Sequence, residues 1–448
     1  MTVRVIRFHS QQLQRLTICI GIGLLGLGMA GAQMALAQHT GGAVATAAPS
    51  PAYHLSPEKL AQAIALNRAR LLIHFGAEVW SLLVLWLLLA LGIASGLGEW
   101  AARKTKRCWL QSAIFSAVLV TLIYVVAQLP AEAISHAFSL HYGISIEGWR
   151  PWLLDEAKGL ALTVCLEVPT LMLILGFVHW SPRRYWLWFA AAAVPIMLIG
   201  TFLLPQIIEP MFNHFEPLAQ SHPALVTELE RVVARTGTSI PPERMFLMKA
   251  SEKSNGLNAY VTGIGSSKRI VVWDTTADRI PKDEILFIFG HESGHYVLNH
   301  IVKGLALAAI GMFALFWLTA KLAEWLVRWK GGGWRVSRIA SLPGLVVLLL
   351  GLTALQIVTE PIESTISRHF EHEADIYGQE AVHGIVADPQ KTALSAFNHL
   401  GEAYLEDPNP NPLVEFWSYD HPSLQTRATF AAQYDPWVDG QKPQFFPK

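Results

Sequence analysis

The amino-acid sequence predicts a mostly α-helical protein that crosses a membrane several times. Hydrophobic residues make up 52% of its 448 residues and charged residues only 15%, whereas about a quarter of the residues in a soluble domain are charged. Long apolar runs recur along the chain, and the stretches 208–303 and 360–448 lie between or after them. We therefore expect a polytopic membrane protein that is embedded in the lipid bilayer.

Six apolar runs approach the roughly 20 residues that a helix needs to span a bilayer. A seventh run, near 17–36, follows a basic N-terminal stretch and ends in Ala-Leu-Ala at 35–37, which has the form of a secretory signal with its cleavage site. Residues 1–37 are therefore either a signal peptide or a first transmembrane helix, and six or seven spans are expected. The six runs lie near 79–97, 109–130, 160–180, 186–207, 304–326 and 341–359.

These runs divide the rest of the chain into four parts. Residues 38–207 contain the N-terminal transmembrane helices and their loops, and residues 304–359 form a transmembrane hairpin. Because a hairpin returns the chain to the side from which it started, the parts 208–303 and 360–448 meet on the same face of the membrane. We expect them to form one domain together.

The distribution of basic residues predicts which face this is. The short loops on the opposite side are rich in lysine and arginine, and the positive-inside rule assigns that side to the cytoplasm. The loop near 131–159, on the side of the domain, has only Arg150 and Lys158 beside four acidic residues. In a bacterial inner membrane the domain would then face the periplasm. The basic loop residues are Arg103, Lys104, Lys106, Arg107, Arg183, Arg184, Arg328, Lys330, Arg335 and Arg338.

Several classes of site and partner are not indicated. The cysteines at 19, 108 and 165 have neither disulfide-framework nor metal-type spacing. The net charge is zero and no basic patch is interleaved with aromatic residues, which argues against nucleic acid as a partner. The glycines at 331–333 have no phosphate-binding context, and no nucleotide is expected.

The motif His291-Glu292-Ser293-Gly294-His295 carries the chemistry of the chain. On a helix the two histidines stand one turn apart on one face, so both imidazoles can reach one zinc ion. The glutamate between them can act as a general base. Since two ligands do not hold a catalytic zinc, a third must come from another part of the chain.

The stretch 367–375 is the expected source of the third ligand. Zinc chemistry leaves His369, Glu371, His372 and Glu373 open as candidates, although a hydrolytic site with two histidines and one carboxylate favours a glutamate. If Glu371 binds the metal, Asp375 stands one helical turn further on and could hydrogen-bond a ligand imidazole.

Together these features resemble the Ste24 family of integral-membrane zinc proteases, the CAAX prenyl proteases and their bacterial relatives in the M48 class. The similar stretches follow one another in order along most of the chain. Beyond the His-Glu motif they are Phe212-Asn213 with Pro217-Leu218, residues 254–275, Ser367-Arg368 with Glu371 and Ala374-Asp375, and His421-Pro422 with Arg427.

The resemblance implies a set of site residues. His291, His295 and Glu371 would bind one zinc ion per chain, with Glu292 as the general base. Asp375 would support a ligand, His421 would contact the substrate near the scissile bond, and Arg427 would hold that region. A strand with Asn258, Ala259 and Tyr260 would pair with the substrate backbone. From the residues alone, His421-Pro422 could also be a simple turn and Asn258 an ordinary turn residue.

The resemblance also implies an architecture: helices around a water-filled chamber, capped by a zincin-like α+β metalloprotease domain. Two features depart from the family pattern. Ser293 stands where many relatives have a larger apolar residue, and the expected outward-facing domain is opposite to that of the eukaryotic relatives, which makes prenylated substrates a poor default.

The sequence therefore predicts a membrane-embedded zinc metalloendopeptidase that acts on membrane-associated or exported proteins. Within the proteases, the alternative is a quality-control enzyme that degrades misfolded proteins without a sequence motif. The alternative from another class is a non-catalytic zinc-containing membrane protein with a ligand or transport chamber. Glu292 and only three good ligands favour catalysis, because structural zinc sites usually close all four positions.

Overall fold

The computed structural model describes residues 53–202, 204–263, 265–438, 440 and 442–446. The possible seventh span near 17–36 lies outside the described residues. The first half of the chain is helical, and its helices in order are α1 Pro57–Ala90, α2 Ile93–Lys104, α3 Cys108–Ile123, α4 Leu129–His141, α5 Trp149–Trp180, α6 Tyr185–Phe202 and α7 Leu204–Phe212. A π-helical turn, Tyr124–Gln128, joins α3 and α4 into one continuous helix.

A small sheet and its helices follow α7. This segment contains, in order, β1 Phe215–Pro217, α8 Leu218–Ser221, α9 Pro223–Thr236, β2 Met245–Met248, β3 Ala259–Thr262, β4 Arg269–Trp273, α10 Asp274–Arg279 and α11 Lys282–Val297. The strand order is β1-β2-β4-β3, with β2 parallel to β4 and the outer pairs antiparallel. Because β3 ends this order, one of its edges is not paired with a strand of the described sheet.

The remaining helices are α12 His300–Lys330, α13 Leu342–Val382, α14 Pro389–Tyr404, α15 Pro412–Ser418 and α16 Leu424–Gln433. Helix α13 is 41 residues long and runs without a break from the bundle into the domain that carries the sheet. The sequence boundary proposed at 360 therefore falls inside a continuous helix. This helix places residues of the bundle and of the domain on one rigid rod.

Within the described part of the chain, six helices are long and apolar enough to cross a membrane: α1, the continuous α3–α4, α5, α6, α12 and α13. The first differs from the predicted run near 79–97, since the helix begins at Pro57 and ends at Ala90. The chain turns at Gly92, whose φ of 69° lies in the left-handed region that glycine adopts most easily. Residues 93–97 therefore belong to the separate helix α2.

The basic loops lie together at the end of the bundle away from the sheet. Ser95 donates hydrogen bonds to the carbonyls of Trp334 (3.1 Å) and Arg335 (3.3 Å), which links helix α2, whose last turn carries Arg103 and Lys104, to the loop after α12. Tyr185, which follows the basic pair 183–184, packs in the same apolar cluster as Trp334 and Ala94. The loops that the charge pattern groups together are thus neighbours in the structure.

The other end of the bundle is attached to the domain by polar contacts. Asn67 of α1 donates to Asp407 (3.2 Å) and accepts from the Tyr419 hydroxyl (3.0 Å). The loop after α4 also joins the domain, where the Ile146 N–H donates to the Lys253 carbonyl (2.9 Å). The domain core is a separate apolar cluster in which β2, β4, α9, α11, α14 and α16 meet.

Candidate active site

Helix α11 carries the His-Glu motif and is fixed at both ends. Its first turn contains Glu284, which is 3% exposed and accepts hydrogen bonds from Ser395 and His399, each at 2.7 Å. A carboxylate is favourable there because the N-terminus of a helix carries partial positive charge. The apolar run 285–289 is buried in the domain core. The helix therefore presents its last two turns to α13 from a rigid support.

Helices α11 and α13 approach closely because small residues lie between them. A Cβ atom added at Gly378 would lie 2.8 Å from the His291 backbone nitrogen, and one added at Gly294 would lie 3.0 Å from the Tyr377 Cβ. A contact under 3.0 Å forces neighbouring atoms to shift. The glycines therefore set the separation at which side chains of α13 reach the two histidines.

This packing brings His291, His295 and Glu371 together, and we call these three residues the site cluster. The His291 Nε2 atom lies 3.2 Å from His295 Nε2 and 3.3 Å from Glu371 Oε2, and His295 Nε2 lies 3.4 Å from Glu371 Oε1. Tetrahedral zinc with bonds of about 2.0–2.1 Å separates its ligand atoms by about 3.3 Å. The spacing and the donor types of the site cluster therefore fit a zinc ion.

Among the four candidates for the third ligand, Glu371 is the one that meets both histidines. Glu373 instead contacts His300 at 3.0 Å, and the His372 ring packs against Phe430 with centroids 4.6 Å apart. The His369 side chain is 69% exposed. Successive residues of a helix are about 100° apart around its axis, so packing selects one of the four.

Charged groups lie on the side of the His291 imidazole that faces away from His295 and Glu371. Its Nδ1 atom lies 2.9 Å from Asp375 Oδ1, and Arg427 donates to the two Asp375 oxygens at 2.8 and 2.6 Å. Asp375 and Arg427 are buried, so each charge is compensated by the other. This pair holds the imidazole in one orientation.

The two histidines differ in their affinity for protons. Burial lowers the pKa of His295 to about 4. Burial also acts against the charged form of His291, but hydrogen bonds to Asp375 and Glu371 outweigh it and raise the pKa of His291 to about 9. His295 therefore offers a lone pair at neutral pH, whereas a cation that binds His291 must displace a proton.

His421 also reaches the site cluster. Its Nε2 atom lies 3.2 Å from Glu371 Oε2, while its Nδ1 atom contacts Asp420 at 2.9 Å. Arg368 of α13 holds the preceding segment by donating to the carbonyls of Tyr419 (2.5 Å) and Glu415 (2.8 Å). A small cleft opens beside these residues, lined by Glu406, Tyr419, Asp420, His421, Pro422, Leu424 and Arg427.

The strand predicted to hold the substrate backbone is at the edge of the sheet. Ala259 and Tyr260 begin β3, and the Tyr260 hydroxyl donates to Glu209 at 3.0 Å, so its side chain is engaged within the domain. Asn258 is 6% exposed, and its Nδ2 atom has no hydrogen-bond partner among the described residues. Asn258 therefore places a buried amide donor directly before β3.

Sequence reasoning did not assign a role to His300, which the structure places against His295. The two Nδ1 atoms are 3.2 Å apart. The chain turns between α11 and α12, and no helical periodicity carries across such a turn. No spacing rule could therefore have found this contact.

A second group of potential metal ligands lies in the described part of the bundle. His74 and Glu78 of α1 meet Glu360 of α13, and their ligand atoms lie within 4.8 Å of one another. His74 Nε2 is 3.0 Å from Glu360 and 3.7 Å from Glu78. We call this group the membrane cluster.

Comparison with known proteins gives consistent matches over most of the chain. Residues 219–434 match the model of peptidase family M48, and residues 43–214 match the CAAX prenyl protease N-terminal model, described as five membrane helices. The metalloprotease YhfN of Bacillus subtilis is 31% identical over 85% of this chain and 87% of its own. The CAAX prenyl protease 1 of Saccharomyces cerevisiae is 27% identical over 71% of each chain.

The fold has a solved counterpart as well. The crystal structure of Ste24p from S. mikatae superimposes with a TM-score of 0.72, covering 96% of this chain and 97% of that one at 22% identity. The fold and the relatives define an integral-membrane metalloprotease, which acts on a peptide or protein substrate and uses a catalytic metal. The chain belongs to peptidase family M48. The predicted family, fold class and enzyme class are thereby confirmed.

Proposed function

We propose that the protein is a zinc metalloendopeptidase that cleaves membrane-associated or exported proteins. His291, His295 and Glu371 hold the zinc ion, and Glu292 is the general base. The observation that carries the proposal is that the Nε2 atoms of His291 and His295 lie 3.2 Å apart on α11, and each lies 3.3–3.4 Å from one oxygen of the Glu371 carboxylate on α13. These distances fit the ligand separations expected at a tetrahedral zinc ion.

The residues around the cluster have separate roles in this proposal. Bound zinc supplies Lewis acidity toward the scissile carbonyl and lowers the pKa of water at the site. Glu292 lies on α11 between the two histidines and is 8% exposed. It takes the proton as water attacks and delivers it to the leaving amine. Asp375 and Arg427 keep His291 oriented toward the metal.

The substrate would be held as an extended peptide along β3. An edge strand offers backbone N–H and C=O groups for pairing, which is a general way to bind a peptide. Asn258 precedes this strand with a buried amide donor, and His421 contacts Glu371 of the site cluster at 3.2 Å. Both donors are suited to orient the scissile carbonyl or to stabilise its oxyanion.

The domain would face the periplasm of a bacterial inner membrane. The basic loops lie at the end of the bundle opposite the domain, and the positive-inside rule assigns such loops to the cytoplasm. A site on the outer face meets proteins that have been inserted into or moved across the membrane. Such substrates fit the proposed orientation of the domain better than prenylated cytosolic proteins do.

The proposal is tested with Glu292→Gln, which removes the base and leaves the proposed ligands in place. We expect zinc content equal to wild type and a loss of peptide turnover of at least about 10²-fold, the scale of general-base catalysis. Glu230→Gln, an exposed position on α9, serves as a matched control and should leave turnover unchanged. Wild-type turnover by Glu292→Gln would overturn the role of Glu292, and wild type without zinc would overturn the site.

A further inference from the structure

We infer that His300, together with Glu373, is a positioning residue for the metal ligand His295. The inference rests on the proposed function, since it concerns how His295 is held for zinc. His300 is the first residue of α12, and Glu373 lies on α13. Both helices of the transmembrane hairpin would then help to build the metal site.

The backbone places His300 directly behind His295. Helix α11 ends at Val297 and α12 begins at His300, with Asn299 between them in the left-handed conformation (φ 58°). Asparagine is one of the few residues besides glycine that adopt this conformation readily. The turn folds the first residue of α12 back under the last turn of α11.

The His300 ring is fixed in this position by its surroundings. The residue is 3% exposed, and its imidazole stacks on Phe370 with centroids 4.5 Å apart and an interplanar angle of 10°. Its two nitrogens point to two different partners. Nδ1 lies 3.2 Å from His295 Nδ1, and Nε2 lies 3.0 Å from Glu373 Oε2.

The direction of each hydrogen bond follows from the metal site. His295 turns its Nε2 toward His291 and Glu371, so a His295 that ligates through Nε2 carries its hydrogen on Nδ1. That hydrogen must be donated to His300 Nδ1. His300 then carries its own hydrogen on Nε2 and donates it to the Glu373 carboxylate. Each hydrogen has one acceptor, and both imidazoles are neutral.

This arrangement differs from the one behind His291. There a carboxylate, Asp375, contacts the ligand imidazole directly at 2.9 Å. Behind His295 a second imidazole stands between the ligand and the carboxylate of Glu373. Groups that accept the outer N–H of a ligand histidine fix its tautomer and ring orientation, and their loss costs about 10–100-fold in metal affinity.

Three substitutions at His300 separate hydrogen bonding from packing. Asparagine places a polar atom where Nδ1 stands and can accept from His295. Glutamine places one where Nε2 stands and keeps only the contact with Glu373, and alanine removes both contacts. His369→Gln is the matched control, because His369 also lies near Glu373 (3.9 Å) but its side chain is 69% exposed.

The experiment measures the affinity of the full-length protein for Zn²⁺ by competition with a chelator, and the visible spectrum of the Co²⁺-substituted protein. We expect His300→Gln and His300→Ala to lose about 10–100-fold in Zn²⁺ affinity with an altered Co²⁺ spectrum. His300→Asn and His369→Gln should stay within about threefold of wild type, well below the 10-fold floor for such contacts. If the alanine variant does not fold, the asparagine and glutamine pair decides alone.

Two results would overturn the inference while the proposed function stands. The first is wild-type Zn²⁺ affinity in His300→Gln. The second is an equal loss in His300→Asn and His300→Gln, since packing alone would account for it. Wild type that binds no Zn²⁺ would instead overturn the proposed zinc site and this inference with it.

Discussion

The site cluster and the membrane cluster contain the same types of side chain in different surroundings. Side chains of the site cluster are 5% exposed at His291, 8% at Glu371 and 19% at His295. Those of the membrane cluster are 28% exposed at His74, 19% at Glu360 and 22% at Glu78. The three contacts of the site cluster are nearly equal. The two that His74 makes are 3.0 and 3.7 Å.

The larger difference lies behind the candidate ligands. His291 is backed by Asp375 and Arg427, and His295 by His300 with Glu373. In the membrane cluster, the ion pairs that His74 makes with described residues are with Glu360 and Glu78, the other members of the cluster. Ligands that are already oriented lose less freedom when they bind. Outer contacts, more than ligand types, therefore distinguish the cluster that we expect to hold the metal.

The largest expected effect is that of removing the metal. A strong chelator should abolish peptide turnover, and added Zn²⁺ should restore it, because the Lewis acid and the nucleophile both depend on the ion. His74→Ala should respond to chelator and Zn²⁺ like wild type. Restoration by Zn²⁺ in wild type but not in His74→Ala would assign the essential metal to the membrane cluster and break the comparison.

Asp375→Asn should have the next largest effect, because it keeps the shape of the side chain and removes the charge behind His291. We expect about 10–100-fold weaker Zn²⁺ binding. Leaving the buried Arg427 without its counter-charge should also cost about 3–5 kcal/mol of folding stability. Zn²⁺ titration and thermal unfolding measure the two effects. Glu360→Gln, the matched change in the membrane cluster, should leave Zn²⁺ binding unchanged.

Gly378→Ala tests whether the close approach of α11 and α13 builds the site cluster. Its Cβ would lie 2.8 Å from the His291 nitrogen, and such overpacking costs about 1–3 kcal/mol. We expect a lower unfolding temperature and weaker Zn²⁺ binding. Gly304→Ala is the control, since nothing lies within 4 Å of an added Cβ there. Equal effects of the two substitutions would argue against the packing explanation.

Tyr419→Phe should have the smallest effect of the series. It removes the hydroxyl that donates to Asn67 of α1, the helix that also carries His74. Because His421 lies nearby on the same segment, we expect turnover to fall. The fall should be less than tenfold, since the loss of one such hydrogen bond costs about 1 kcal/mol. Zn²⁺ content should be unchanged. A loss of Zn²⁺ would mean that the two clusters are coupled through α1.

The sequence predicts the parts of this molecule that are encoded locally. Apolar runs identify the six spans of the described chain, and helical spacing pairs His291 with His295. The start of α1 at Pro57 was not predicted, since its first turns carry polar residues that lower the apolar signal. Contacts with the domain stabilise these polar turns instead, since Asn67 donates a hydrogen bond to Asp407.

Sequence could not determine what depends on contacts between helices. The four candidates for the third ligand lie within five residues on α13, and only the packing against α11 selects Glu371. His300 lies beyond the turn at Asn299, where helical periodicity ends. The ligand roles themselves stay predictions.

The most direct test of the account is the zinc content of three proteins purified in the same way: wild type, His295→Ala and His74→Ala. The account predicts a full complement of zinc in wild type and in His74→Ala, and none in His295→Ala, since only the site cluster has its ligands held by outer contacts. Zinc retained in His295→Ala but lost from His74→Ala would contradict it.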